Sequence, residues 1–346
     1  MNRRKIKAII FALAAALFYA INVPFSKVLL NHMSPTYQAG FLYLGAGVGV
    51  GILYAFNHKK ENRFERLTKA DLPYTIGMIV LDIIAPILLM VGINIGESSN
   101  ASLLGNFEIV ATTFIALIIF KEAVSKRLWL AIALITLSSI LLTFNSSAME
   151  FSLGSAFVLC ATICWGLENN CTRQLSGKST YQIVTLKGLC SGAGSLIIAW
   201  SISENASELQ YIILTMLLGF VSYGLSIFTY IRAQKTLGAA KTSAYYAVAP
   251  FISVFLSFVI LKERFTVNYL MSLLIMLLGT GIIVYDTLIY AHRHEHKHML
   301  THNHNGTIHT HIITHIHSHN HIFLNGKHTH AHSQAELEKY LVNHDM

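Results

Sequence analysis

Apolar positions come in ten blocks of about helix length, at residues 6–30, 36–56, 72–93, 98–120, 128–145, 152–171, 181–203, 209–231, 239–261 and 266–290, parted by short polar segments. A helix takes roughly 20 residues to cross a hydrocarbon core, and these blocks are close to that length. The pattern predicts an all-α membrane protein of ten transmembrane helices. After residue 290 it changes to a histidine-rich segment with too few core-forming residues to pack, read as mostly flexible.

The last five blocks echo the first five. Phe120-Lys121-Glu122 matches Leu261-Lys262-Glu263, each closing a long apolar stretch. That register sets Glu108 opposite Ala249, Ile109 opposite Pro250, and Asp82 opposite Tyr223. Phe18-Tyr19-Ala20 aligns with Cys164-Trp165-Gly166, Asn22 with Glu168, and Thr36-Tyr37-Gln38 with Thr180-Tyr181-Gln182. The division is then a first five-helix repeat at 1–145, a second at 146–290 and a tail at 291–346. Five is odd, so the second copy enters the bilayer upside down, as in the inverted repeats that build a midplane site in many secondary transporters. Gly45, Gly47, Gly49 and Gly51 in the second block, and Gly188, Gly192 and Gly194 in the seventh, mark close helix packing in lipid.

Composition agrees. The chain has 346 residues, 53% hydrophobic and 12% charged, too few charges to cover a soluble globule. Mean hydropathy is +0.52. The net charge of +8 does not point to nucleic acid, because its cations are spread over separate loops. With the N-terminus inside, the inner segments hold Arg3, Arg4, Lys5 and Lys7, then Lys59, Lys60, Arg63, Arg66 and Lys69, and continue through Lys121, Lys126, Arg127, Arg173, Lys178, Arg232, Lys235 and Lys241. The outer loops hold Lys262 and Arg264. The positive-inside bias puts both termini in the cytoplasm of a multi-pass protein of the plasma (inner) membrane. The N-terminus has a signal-like basic start, but cleavage would remove the first helix of a repeat, so it is read as retained. Four cysteines, all within predicted spans, imply no disulfide framework.

The ten spans, the duplicated halves and the Lys-Glu pairs resemble the drug/metabolite transporter superfamily, specifically its EamA branch. Residues 101–144 and 244–285 carry most of the likeness, which covers roughly 8–288. Pro250 in the ninth span is usual in that branch, whereas Glu108-Ile109 stands at the matching place in the fourth. The resemblance implies a ten-helix bundle that moves small organic solutes, often outward, by alternating access. The departure at Glu108 implies a specialised pocket.

Ionisable groups deep in a membrane cost roughly 2.5–3.5 kcal/mol on insertion scales and are functional suspects by default. Asp82 and Glu108 fall near the middle of their spans; Glu168 lies nearer the cytoplasmic end, and Lys187 enters its span by nearly two turns. Lys187 reads equally as a snorkelling lysine, and Glu168 as an interfacial one. A proton exchanged at Glu108 or Asp82 would couple flux to the proton gradient; a polar lock between helices is the structural alternative. Asn22, Asn169, Tyr19 and Trp165 complete the candidate substrate or coupling-ion set. Cys160, Cys164, Glu168 and Cys171 share one helical face, which suits either small-residue packing or an intramembrane metal. Packing is preferred, since no histidine lies in a span.

Sixteen of eighteen histidines fall between His292 and His344. They start with His292, His294, His296 and His298 and continue through His302, His304, His309, His311, His315, His317, His319 and His321. His328, His330, His332 and the outlying His344 follow. All of these except His344 are candidate ligands for zinc, nickel, cobalt or copper. Ile308, Ile312, Ile313 and Ile316 leave room for a weak hairpin, with Asn325-Gly326 as a candidate turn. No protease, phosphate-loop or nucleophile-elbow motif is present, so the chain reads as no enzyme and needs no cofactor. The leading reading is a secondary active transporter of small, amino-acid-like metabolites with a metal-binding regulatory tail. The alternatives are a transporter of transition metals or their chelates and a non-transporting metal sensor. The partners implied are a small solute, the lipid bilayer and divalent metal at the tail, with a homodimer compatible and no nucleic acid.

Overall fold

In a computed structural model the chain divides into two compact units, 1–284 and 285–346. The structure describes residues 3–57, 66–120, 126–145, 150–175, 177–205, 207–237, 242, 245–263, 266–304 and 307–322.

The first unit is helical. In chain order come α1 (Arg3–Ala20), α2 (Asn22–Leu29), α3 (Pro35–Asn57), α4 (Leu72–Ile95), α5 (Ser98–Leu104), α6 (Phe107–Phe120) and α7 (Lys126–Thr143). A short ladder pairs β1 (Phe144–Asn145) with β2 (Glu150–Phe151). Then follow α8 (Leu153–Gln174), α9 (Thr180–Ser201), α10 (Leu209–Gly219), α11 (Ser226–Leu237), α12 (Ala249–Leu261) and α13 (Val267–Leu288). Among the described residues six helical stretches are long and apolar enough to cross a membrane: Ile6–Leu29, Pro35–Asn57, Lys69–Ile95, Thr180–Ser201, Leu209–Gln234 and Val267–Tyr285. Their outward faces carry large apolar side chains such as Ile52, Trp200 and Leu278, as lipid contact requires.

Several blocks that read as one helix are two. The first breaks at Ile21, because Pro24 has no amide to bond the Ala20 carbonyl and its ring crowds that turn. The fourth breaks at Gly105-Asn106, where Asn106 turns its side-chain amide back onto the Leu103 carbonyl and competes with the helix ladder. The eighth is interrupted by a π-helical turn, Phe220–Leu225, between α10 and α11. The ninth turns at Ala247-Val248, after helical residues Tyr245 and Tyr246, and Pro250 lies in the first turn of α12, where a missing amide costs nothing. Pro86 lies inside α4 and removes the amide that would otherwise bond the Asp82 carbonyl.

Packing joins the two halves. The second block lies on the seventh (α3 with α9), the third on the sixth (α4 with α8), the first on the eighth (α1 with α11), the fourth on the ninth (α5 with α12) and the second on the eighth (α3 with α10). Exchanging the halves turns each pairing into itself or another observed one: third–sixth into eighth–first, and second–eighth into seventh–third. The glycines explain how closely these helices approach. A Cβ on Gly188 would stand 2.3 Å from the Gly47 amide nitrogen, and one on Gly45 would stand 2.0 Å from the Met216 carbonyl oxygen. Helix backbones touch at these points, which is how helices gain dispersion contact where no hydrophobic drive separates them from lipid.

The second unit contains an antiparallel hairpin of β3 (Ile289–His304) and β4 (Thr307–Ile322). Alternation of histidine at every second residue is strand periodicity, and the isoleucines between leave room for a hairpin. The hairpin closes between His304 and Thr307, about twenty positions before Asn325-Gly326, and those two residues lie outside the described set.

Candidate functional site

Three charged side chains from three helices meet inside the first unit. Asp82 on α4 is 0% exposed, Glu168 on α8 3% and Lys187 on α9 6%. The Lys187 ammonium lies 2.9 Å from Asp82 Oδ2 and 2.9 Å from Glu168 Oε1, one cation between two carboxylates. Tyr43 of α3 donates its hydroxyl to Asp82 Oδ1 at 2.9 Å, and Thr172 donates to Glu168. A charge so far from water is tolerated only when paired and hydrogen-bonded, and this cluster meets both conditions. Lys187 and Glu168 are thus both buried and paired with each other.

Glu108 forms a second polar point. It lies in the first turn of α6, just past the Gly105-Asn106 break, and accepts a 2.6 Å hydrogen bond from Asn169 Nδ2 of α8. It is within electrostatic reach of Glu168, Lys187, Tyr19 and Tyr246. Two carboxylates thus pair directly with the one ammonium, and the third, Glu108, lies within its electrostatic reach.

Aromatic rings line the other side. Tyr223, held by the π-helical turn, stacks obliquely on Tyr43 at 4.9 Å and edge-on to Tyr19 at 6.0 Å. Tyr246 lies 5.8 Å from Tyr19. Asn22, at the α1–α2 break, donates to the Tyr223 hydroxyl at 3.1 Å and accepts from Ser26. Broken helices thus place Asn22, Glu108 and Tyr223. Trp165 is buried on α8.

Sequence reasoning placed Asp82, Glu108, Glu168, Lys187, Asn22, Asn169, Tyr19 and Trp165 as candidates. The structure brings the first three together with Lys187 and Asn169 and sets Asn22 and Tyr19 against Tyr223. It adds Tyr43, Tyr223, Tyr246 and Thr172. Tyr223 was detectable as the repeat partner of Asp82, whereas Tyr43 gives no signal in a chain with 15 tyrosines. On the cysteine stripe, Cys160 is exposed and Cys164 and Cys171 are half-buried. Glu168 is engaged by Lys187, and among the described residues no group of three His, Cys, Asp or Glu is arranged to hold a metal. The tail positions His292, His294, His296, His298, His302, His304, His309, His311, His315, His317, His319 and His321 fall on β3 and β4, whereas His328, His330 and His332 lie outside the described residues. An apolar groove of about 580 Å³, lined by Phe107, Phe114, Trp129, Leu137 and Ile163, is separate from this polar centre and has the character of a lipid-facing crevice.

At the end of the bundle where the loops are poor in cations, side chains of one half tie helix ends of the other. Glu204 accepts from the Thr36 hydroxyl at 2.8 Å and the Tyr37 amide at 3.1 Å, at the start of α3. Glu263 accepts from the Ser98 and Ser99 amides at 2.8 and 2.9 Å, at the start of α5. Within the first half, Lys27 likewise donates to the Ile93, Asn94 and Gly96 carbonyls at the end of α4. Each charge has the sign that its helix end attracts. Burial, with Glu263 beside it, pushes the Glu97 carboxyl above its ordinary range. At the cation-rich end Lys178 pairs with Asp71 at 2.9 Å, and Lys178 and Thr68 hold the Asp71 carboxyl down to about 2. Gln182 binds the Leu67 amide and the Tyr54 hydroxyl there.

Membrane-length helices around a sealed polar centre, tied at both ends across two halves, define a polytopic integral membrane protein. The chain belongs to the EamA-like transporter family, whose profile matches it twice, at residues 6–144 and 152–285. It is therefore a membrane transporter. It is similar to an uncharacterized transporter of Methanothermobacter thermautotrophicus, 26% identical over 303 residues that cover 82% of this chain and 88% of the relative. It is also similar to the uncharacterized transporter YyaM of Bacillus subtilis, 22% identical over 79% of this chain and 93% of that protein. One crystal structure superposes with a TM-score of 0.60 at 14% identity, over 81% of this chain and 96% of that one, a likeness of fold.

Proposed function

We propose that the protein is a secondary active transporter of small zwitterionic or amphiphilic metabolites, amino-acid-like in chemistry, working by alternating access. Ten membrane-crossing segments form two inverted five-helix repeats, with both termini in the cytoplasm and the cation-poor end outside. The observation that carries the reading is the buried cluster at the junction of the halves, Asp82 and Tyr43 from the first, Glu168 and Lys187 from the second. The exchange symmetry of the helix pairings supports the repeat, and the loop cations support the orientation.

The site suits a solute with both charges. A substrate carboxylate competes with Glu168 or Asp82 for Lys187. A substrate ammonium meets Glu108 and the tyrosine faces, where cation–π attraction adds roughly 0.5–2 kcal/mol. Releasing a carboxylate from Lys187 leaves a surplus negative charge that takes up a proton, and this links solute to proton movement. Breaking Lys187 contacts also frees α9 from α4 and α8, the motion that alternate opening requires.

The test begins with a thermal-shift screen of amino acids and related solutes on the purified protein, since a ligand of the native state stabilises it by mass action. Hits are then followed as flux in proteoliposomes between pH 5.5 and 8. Glu108→Gln is expected to flatten the pH dependence; a variant that keeps the full native profile removes Glu108 from coupling. Absence of flux for every stabilising solute refutes the transport reading of the centre.

A further inference from the structure

We propose that one face of the β3–β4 hairpin is a binding site for divalent transition-metal ions of the zinc, nickel, cobalt and copper class, each ion taken between two adjacent cross-strand pairs of histidine positions. The proposal is independent of what the helical unit transports.

The argument starts from parity. On β3 the histidines occupy even-numbered positions, from His292 to His304, and on β4 odd-numbered ones, from His309 to His321. In an antiparallel pair, residues directly opposite share a face, and residues two apart on a strand share it as well. The register pairs every even position of β3 with an odd position of β4: His292 with His319, His294 with His317, His296 with His315 and His302 with His309. All six histidines of β3 and all six of β4 therefore fall on one face. The other face takes Arg293, Glu295, Lys297 and Met299, with Ser318, Ile316, Thr314 and Ile312 across from them.

The alignment depends on the length of the connection. Two residues, Asn305 and Gly306, separate His304 from Thr307, and Asn-Gly is the sequence most favoured for a two-residue hairpin link. A one-residue slip would send the β4 histidines to the opposite face. The switch of parity between strands compensates for the turn, so that two runs which differ in phase along the chain coincide in the hairpin.

Spacing then sets the chemistry. Opposite residues have Cβ atoms about 4.5–5.5 Å apart, and neighbours along a strand on one face are roughly 6.6–6.8 Å apart. Two adjacent pairs, such as His292/His319 and His294/His317, mark the corners of a patch of that size. A zinc–imidazole bond is about 2.0–2.1 Å, and four nitrogen ligands complete a tetrahedral set. Neutral imidazole suits zinc, copper and nickel and discriminates against magnesium and calcium, which take oxygen. An isolated two-stranded hairpin is marginal in water, and an ion shared across the strands supplies the missing stability.

The full-length protein in detergent, stripped of metal, is titrated with Zn²⁺ and separately with Ni²⁺ against a chromophoric chelator. The comparison is a variant of identical composition in which three histidines change faces: His315→Ile with Ile316→His, His317→Ser with Ser318→His, and His319→Asn with Asn320→His. The expected result is about tenfold weaker binding or more in the tightest class, from the lost effective concentration of paired ligands. Zn²⁺ should slow amide exchange across 289–322 in the native chain and not in the variant. Equal affinities, or exchange unaffected by Zn²⁺ in the native chain, overturn the site and leave a histidine-rich segment that binds through composition alone.

Discussion

Replacing Lys187 by methionine removes one positive charge from between two buried carboxylates while preserving most of the side-chain volume. Each pair at 2.9 Å attracts by about 6 kcal/mol at an effective dielectric of about 20. Desolvation of the three ions cancels most of that gain, so the intact cluster contributes little net stability. Its breakage is another matter. Asp82 and Glu168 stay buried with only Tyr43 and Thr172 as donors, and loss of one partner from a buried pair costs about 3–5 kcal/mol. The apparent Tm of Lys187→Met in detergent should fall by on the order of 5 °C or more. The triple variant Asp82→Asn, Glu168→Gln, Lys187→Met removes every charge and should regain most of that loss. Scanning fluorimetry of the native, single and triple proteins decides the matter. A single variant as stable as the native chain, or a triple variant worse than the single, would refute the buried cluster as drawn.

Three further outcomes are expected. Gly45→Ala drives a methyl group to 2.0 Å from the Met216 carbonyl and should destabilise by roughly 1–3 kcal/mol, whereas Gly281→Ala, with nothing within 4 Å, should leave the apparent Tm unchanged. Because the Glu97 carboxyl is raised, its neutral form favours the tied arrangement of α4 and α5, so that stabilisation is present at low pH and is lost as pH rises through the folded pKa. Thiol labelling of a cysteine introduced at Ser99 should accordingly increase with pH, and Glu97→Gln should abolish the trend. The Asp71–Lys178 pair, with Asp71 held to about 2, loses its contribution only as pH falls toward that value. Asp71→Asn should therefore leave the shape of any flux profile between pH 5.5 and 8 unaltered, whatever it does to the rate.

The apolar helices were legible because an apolar block of helix length has few other readings, and the buried charges were legible because they interrupt such blocks. Asp82, Glu168 and Lys187 were each suspect alone. Their meeting was not readable, since it depends on three helices packing in one order and the chain gives no distance between positions 82, 168 and 187. Lys187 shows the cost: nearness to a predicted helix end left snorkelling and a functional role equally open, and its partners on α4 and α8 gave no sign in the chain. The breaks at Ile21 and Gly105-Asn106 had local signals in Pro24 and the Gly-Asn pair. The π-helical turn at Phe220–Leu225, which packs against α3, had none. In the tail the alternation of histidines was plain, and the turn suggested at Asn325-Gly326 lies outside the described residues. The switch of parity between His304 and His309 carries meaning only once the register of β3 with β4 is known.

The carboxylates that cap α3 and α5 come from much later in the chain. A ribosome delivers Thr36 and Tyr37 long before Glu204, and Ser98 and Ser99 long before Glu263. During synthesis the amino-terminal half thus waits in the lipid with exposed amides at two helix starts, for water or a chaperone to satisfy. Cutting the gene between the halves would yield fragments that mature only when made together, since each supplies what the other leaves unfinished.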